Sequence, residues 1–285
     1  MKKATACLLA LTLCIAFAAC VGSNAAYGNS GATLKQTTIN NPAPGTAVIP
    51  DAMVKPHAVV TPGALGTKTG EDTIKKQIQL ILDNMELWQR TGETEMYGYA
   101  VTDLDGNGRL EILSSSFGGT GFYTDTDIYE VNESLDGITL CEQKKQEGDS
   151  QADVMVTSVP VYYDAMNSTY YFVFHDLTKN GAQEYYENDR ALSLQNGRVQ
   201  ETFLRYKTTL YTNSVQSVTY TNAEGNPISL EEYNGIADRV FAGMEKRQAN
   251  LQWITNGQVH LQSMDASQMY PLLEASYWTF SGTPS

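Results

Sequence analysis

Cysteine is almost missing from the body of this chain. Cys7, Cys14 and Cys20 lie in the first twenty residues, and Cys141 stands alone beyond them. No intrachain disulfide framework is then possible in the mature part. Cys141 closes the stretch Gly137-Ile138-Thr139-Leu140 and reads as a small buried residue rather than a nucleophile. Histidine is as scarce. His57, His175 and His260 are isolated, with no second His or Cys at zinc-ligand spacing. There is no G-x-S-x-G elbow. His175 and Asp176 are neighbours in an apparent strand, which sends them to opposite faces. Glu184, Glu187 and Asp189 could form a glycosidase pair, but any acidic chain offers such pairs. No nucleophile–base–orienter set assembles, and the balance is against an enzyme. Positive charge is short too, 19 Lys and Arg against 32 Asp and Glu, for a net charge of −13. General electrostatics therefore gives no affinity for nucleic acid or an anionic membrane surface and suits cation binding. No strict repeat recurs, which argues against a propeller.

Three segments differ in kind. Residues 1–20 are a targeting segment: Lys2 and Lys3, then an apolar run from Ala6 to Ala19 that is too short to span a bilayer. Phe17-Ala18-Ala19-Cys20 resembles a bacterial lipobox, with Phe17 where Leu is usual. The resemblance implies acylation of Cys20, hence a membrane-lipid anchor and a cell-envelope location outside the cytoplasm. Ordinary signal cleavage near Ala25-Ala26 is the alternative. Residues 21–68 are rich in Gly, Ala, Thr, Asn and Pro and read as a disordered linker. Residues 69–285 read as one folded domain.

The chemistry concentrates in Asp103-Leu104-Asp105-Gly106-Asn107-Gly108-Arg109-Leu110-Glu111. Calcium takes six to eight oxygen ligands. Asp103, Asp105 and Asn107 can turn inward at alternate places, the Arg109 carbonyl can add an oxygen, and Glu111 can close the shell. An EF-hand requires a bidentate acid at place twelve, where this chain has Ser114. A plain hairpin turn leaves Asp103 and Glu111 unexplained, because their charges repel across it. The acid at place nine resembles the D-x-D-G-[DN]-G-x-x-[DE] loop of FG-GAP and related β-repeat families. More widely, Tyr99 to Leu113 together with Ile228-Ser229-Leu230-Glu231-Glu232-Tyr233 resembles a large group of uncharacterised bacterial surface lipoproteins. That likeness implies location and metal, not a reaction.

The pattern predicts an α+β fold: an antiparallel, curved β-sheet or meander with an N-terminal helix and two C-terminal helices. Thr69 and Asp72 are spaced as a capping pair. Ile74, Ile78, Ile81, Met85 and Trp88 put a helix over 71–90, stopped by Thr91-Gly92. Tyr97, Tyr99 and Val101 alternate as a strand, and Ser114 to Gly121 reads as a flexible loop. Hairpins are expected across Asp136-Gly137, Asn167-Ser168 and Asn196-Gly197, with another strand at 216–221. Ser229 to Glu232 is a capping box, opening a helix with Tyr233, Ile236, Val240 and Met244 on one face. A short strand over 251–255 precedes a last helix, which Asp265 caps and in which Pro271 must sit in the first turn or cause a kink. Outward tyrosines could bind a glycan or a protein, although ordinary β preference accounts for them as well. The functional expectation is a membrane-anchored, non-enzymatic binding domain with structural Ca2+. The alternatives are a glycan-binding module and a hydrolase with an unrecognised acidic site.

Overall fold

The computed structural model describes residues 70–90, 96–118, 123–143, 151–212 and 215–282. The lipobox Cys20, the linker, Thr69 itself and the Thr91-Gly92 stop lie outside the described residues. The expected Thr69–Asp72 capping pair is nevertheless corrected, because the N-cap of the first helix is Gly70, which has no side chain to cap with. Among the described residues no helix is long and apolar enough to cross a membrane.

Helix α1 (Glu71–Asp83) forms where expected, with Ile74, Ile78 and Ile81 fully buried. Its first turn carries Glu71 and Asp72, which favour the positive end of the helix dipole. The helix does not run on to residue 90. It breaks at Asn84, and a single turn, α2 (Met85–Trp88), ends it. Trp88 Nε1 donates to Ile81 O at 2.8 Å, which folds the indole back over the break and keeps it in the core.

Twelve strands follow in the described residues. In chain order they are β1 (Met96–Thr102), β2 (Glu111–Gly118), β3 (Tyr123–Val131), β4 (Ile138–Leu140), β5 (Glu142–Gln143) and β6 (Ser158–Asp164), then β7 (Thr169–Asn180), β8 (Glu184–Gln195), β9 (Arg198–Thr212), β10 (Val215–Asn222), β11 (Glu245–Asn250) and β12 (Ile254–Thr255). They make two sheets where the sequence suggests one. The first has the order β12-β1-β2-β3-β4, and the second β10-β9-β8-β7-β6-β11, with β5 parallel to the start of β9. Every other pairing is antiparallel, so the α+β class holds. Local hairpin signals find neighbouring strands. They do not reveal that Glu245–Asn250 closes the second sheet on β6 before the chain crosses to β12 in the first.

Layering follows from the side-chain period of two. Tyr97, Tyr99 and Val101 point to a core shared with α1 and with α5 (Ala266–Ser281). Ala100, from the opposite face of β1, joins Val161, Phe172, Phe174, Leu192 and Leu194 of the second sheet in a core between the sheets. On the outer face of the second sheet, Tyr162, Val173, Ala191 and Leu204 pack on Ile236 and Phe241. The first sheet is thus covered on both faces, and β1 is buried from Tyr97 to Thr102.

Three further expectations need correction. Ser114 to Gly118 belongs to β2, paired along its length with β1 and β3, and is not loop; residues 119–121 lie outside the described residues. The serines are tolerated because Ser114 Oγ donates to Trp88 O and Ser115 Oγ bonds Thr126 Oγ1. The helix after the capping box stops at Gly235, so that α3 (Leu230–Asn234) and α4 (Ile236–Val240) are separate turns. Val240 is exposed, and Met244 lies beyond α4. Helix α5, capped by Asp265, carries Pro271 in its second turn and not in its first. The three expected hairpins form, but the β3–β4 link runs over 132–137 and the β6–β7 link over 165–168, longer than the dipeptides Asp136-Gly137 and Asn167-Ser168 suggest. Asn196 and Gly197 both take left-handed φ between β8 and β9, as a two-residue hairpin requires.

Candidate metal centre

The segment 103–110 joins β1 to β2 and is anchored in both cores. Leu104 enters the core between the sheets, and Leu110 enters the helix-side core. Gly106 takes φ 69° and Gly108 φ 85°. At Gly106 the need for glycine is double, since a Cβ there would stand 2.7 Å from Tyr170 Cε2. Tyr170, on β7, is backed by Tyr163 in a stack at 4.5 Å.

Helix α1 holds the loop from the other side. Gln77 Nε2 donates to Gly108 O at 2.8 Å, and Leu110 N donates to Gln77 Oε1 at 2.9 Å. One buried amide thus satisfies both a carbonyl and an N–H of the loop. Gln77→Leu keeps the volume and strands both groups, so it should lower the urea-unfolding free energy by about 2 kcal/mol. A loss under about 0.5 kcal/mol would show that the loop reorganises without this brace.

Inside the loop the acids converge. Asp103, Asp105 and Glu111 each offer a carboxylate oxygen, and these oxygens lie within 4.8 Å of one another. Asp103 is 2% exposed and Glu111 0%. Glu111 Oε2 accepts from Thr102 Oγ1 at 2.9 Å and from Leu104 N at 2.8 Å. Asp103 Oδ1 accepts from Gly108 N at 3.2 Å. The second oxygens, Asp103 Oδ2 and Glu111 Oε1, are buried and accept nothing from the described residues. Buried oxygens without partners are rare and costly, and those of a charged group cost most. Burial pushes the Asp103 carboxyl up to about 7 and Asp105 up to about 6. It also holds Glu111 well above the ordinary carboxylate range, with the Asp103 charge adding to the effect.

Among the described residues no side-chain cation pairs directly with this trio. Arg109 belongs to the loop by its backbone, and its guanidinium turns to Glu130 Oε1, with Nη2 at 2.6 Å and Nε at 3.0 Å. Asn107 is exposed, and its amide has definite roles. Nδ2 donates to Asp105 Oδ2 at 2.8 Å and to Glu130 Oε1 at 2.7 Å, while Oδ1 accepts from Arg109 N at 2.7 Å. Its oxygen can reach a cation only through its second lone pair.

Sequence reasoning overlooks Gln77, Tyr170 and Glu130. Gln77 had a visible signal, a polar residue on the apolar face of an amphipathic helix. Glu130 sits directly across from Glu111 in the β2–β3 ladder, a pairing that only the register shows.

The other candidates fall elsewhere. His175 and Asp176 do face apart: His175 Nδ1 lies 2.8 Å from Asp189 Oδ1 across the ladder, and Asp176 is buried on the other face beside Arg190. Glu187 and Asp189 are tied to Lys207 and Arg205, and Glu184 accepts from Asn180 and Tyr186. Cys141 is buried, which pushes its thiol pKa up. Of the tyrosines, Tyr162 and Tyr170 are core, whereas Tyr186 and Tyr211 are exposed. A scan against protein-family models and searches of curated proteins and of solved structures find no match to this chain.

Proposed function

We propose that the chain is a lipid-anchored, extracytoplasmic, non-enzymatic binding domain whose loop 103–111 holds a structural calcium ion. One observation carries the metal reading: Asp103 Oδ2 and Glu111 Oε1 are buried without a partner among the described residues, where one carboxylate oxygen from each of Asp103, Asp105 and Glu111 lies within 4.8 Å of the other two. The donors are all hard oxygens, which selects a hard cation over zinc or copper. Magnesium demands near-ideal octahedral geometry and keeps its waters, so a cage of crowded carboxylates suits calcium better. Asp103, Asp105 and Glu111 would hold the ion, with Asn107 Oδ1 and the Arg109 carbonyl completing the shell. The two central acids, Asp103 and Glu111, are buried, and this supports a bracing role. The anchor and the envelope location follow from the lipobox resemblance at Cys20.

The test is thermal unfolding of the full chain in millimolar calcium and in chelator. An ion bound about a hundredfold below its working concentration adds roughly 2.7 kcal/mol. For a domain of this size that raises Tm by roughly 5–10 °C. Equal melting temperatures in the two conditions would sink the metal reading.

A further inference from the structure

The link from β11 to β12 floors a second feature, a cavity of about 710 Å³ that includes none of the metal-loop residues. Leu251 and Trp253 of that link are buried, Met155 packs on the same core, and Met96, 53% exposed, is part of the lining. Trp253 Nε1 donates to Val156 O at 3.0 Å, so the indole is fixed and its N–H already used. The volume falls within the usual range for a small-molecule site, and the lining joins four apolar side chains, Met96, Met155, Leu251 and Trp253, to seven polar ones.

The charge pattern says what fits. Among the described residues, Asp153 is the sole charged member of the lining; the remaining polar groups are amides and threonine hydroxyls, such as Gln258 and Thr255. Asp153 is held firmly. Its Oδ1 accepts from Thr124 Oγ1 and from Met155 N, both at 3.2 Å, and its N–H donates to Asp176 Oδ1 at 2.6 Å. Its Oδ2 accepts no hydrogen bond from the described residues. A fixed carboxylate with one free oxygen, set beside thioethers and an indole, favours a cation over an anion. The net charge of −13 adds to that preference.

We propose that this cavity binds an organic cation with an apolar body, its ammonium against Asp153 Oδ2 and its body over Trp253 and Met155. The proposal stands apart from the calcium reading, and the melting test leaves it untouched. Calorimetric titration of the full chain with 4-phenylbutylamine, 4-phenylbutanol and 4-phenylbutyrate tests it. The amine should bind saturably and at least about tenfold tighter than the alcohol, as one charge-assisted hydrogen bond allows, and the carboxylate should not bind. Asp153→Asn keeps an oxygen for Thr124 and Met155 N–H, and should bring the amine down to the affinity of the alcohol. Gln258→Lys, on the exposed rim, should weaken the amine and admit the carboxylate. Unchanged amine binding in Asp153→Asn, equal binding of amine and alcohol, or no saturable amine binding each overturns the proposal.

Discussion

In chelator at about pH 8, Glu111→Gln is expected to melt above the unsubstituted chain, and in millimolar calcium to melt below it. The crossing follows from what Glu111 costs without an ion. Its carboxylate is fully buried, Oε1 has no partner among the described residues, and Asp103 and Asp105 add repulsion. The amide that replaces it keeps an oxygen for Thr102 and Leu104, and places an N–H₂ group toward Asp103 where Oε1 was unmet. The charge is gone, at a gain on the order of a few kcal/mol. The calcium ligand is gone as well, so calcium no longer shifts the melting curve. An ordinary hydrogen-bonding role for Glu111 predicts the opposite in chelator: Gln lowers Tm in both conditions by the same amount. That single comparison separates an ion site from a polar core.

The pH dependence has a definite sign. In the unfolded chain these carboxyls titrate near 4, whereas in the folded chain Asp103 and Asp105 are pushed up to about 7 and 6 and Glu111 higher than its ordinary range. Folded protein then holds protons that unfolded protein has released, so stability in chelator is greatest below about pH 4 as far as these groups decide it, and is lost as pH rises through about 6 and 7. Calcium displaces those protons. The calcium-induced rise in Tm should therefore widen steadily between about pH 5 and pH 8.

Much of this was legible in the residues. The α+β class, the apolar face of α1, the Asn196-Gly197 hairpin, the Ser229–Glu232 capping box and the Asp265 cap are local signals, and local geometry realises them. The convergence of Asp103, Asp105 and Glu111 is local too, because nine consecutive residues with two left-handed glycines span it. What stays hidden is the chain's return from afar. The division into two sheets depends on β11 finding β6 and on β12 finding β1, pairings between segments with no turn signal to link them. Gln77 reaches the loop from a helix 31 positions earlier. Ser114 to Ser116 looked like loop because a serine run lacks β propensity. Central position between β1 and β3 overrides that, with the hydroxyls bonded to Trp88 O, Arg90 and Thr126.

The second large effect lies in the other sheet, where Asp189 and Arg190 are adjacent and yet do not pair. The β8–β9 register shifts between them. Asp189 turns to His175 and Arg205, while Arg190, 4% exposed, turns to the opposite face. There the guanidinium stacks 4.3 Å from the Phe203 ring, reaches Glu201 Oε2 at 3.2 Å and Asn188 Oδ1 at 2.9 Å, and sits 2.9 Å from Asp176 Oδ2. Among the described residues Asp176 Oδ2 accepts no hydrogen bond, and the ion pair with Arg190 faces it. Arg190→Met preserves the stem and the ring contact but leaves a buried carboxylate unpaired, at a cost of about 3–5 kcal/mol. Burial already raises the Asp176 pKa, with Arg190 opposing the rise. Without the guanidinium, Asp176 takes a proton more readily, so the loss should be smaller at about pH 5 than at about pH 8, since a raised folded pKa gives stability that disappears with increasing pH. Adding Asp176→Asn to Arg190→Met removes the stranded charge while keeping an oxygen for Asp153 N–H, and should recover most of the loss in urea unfolding. If the double variant is no more stable than Arg190→Met alone, the cost lies in packing against Phe203 and not in the ion pair.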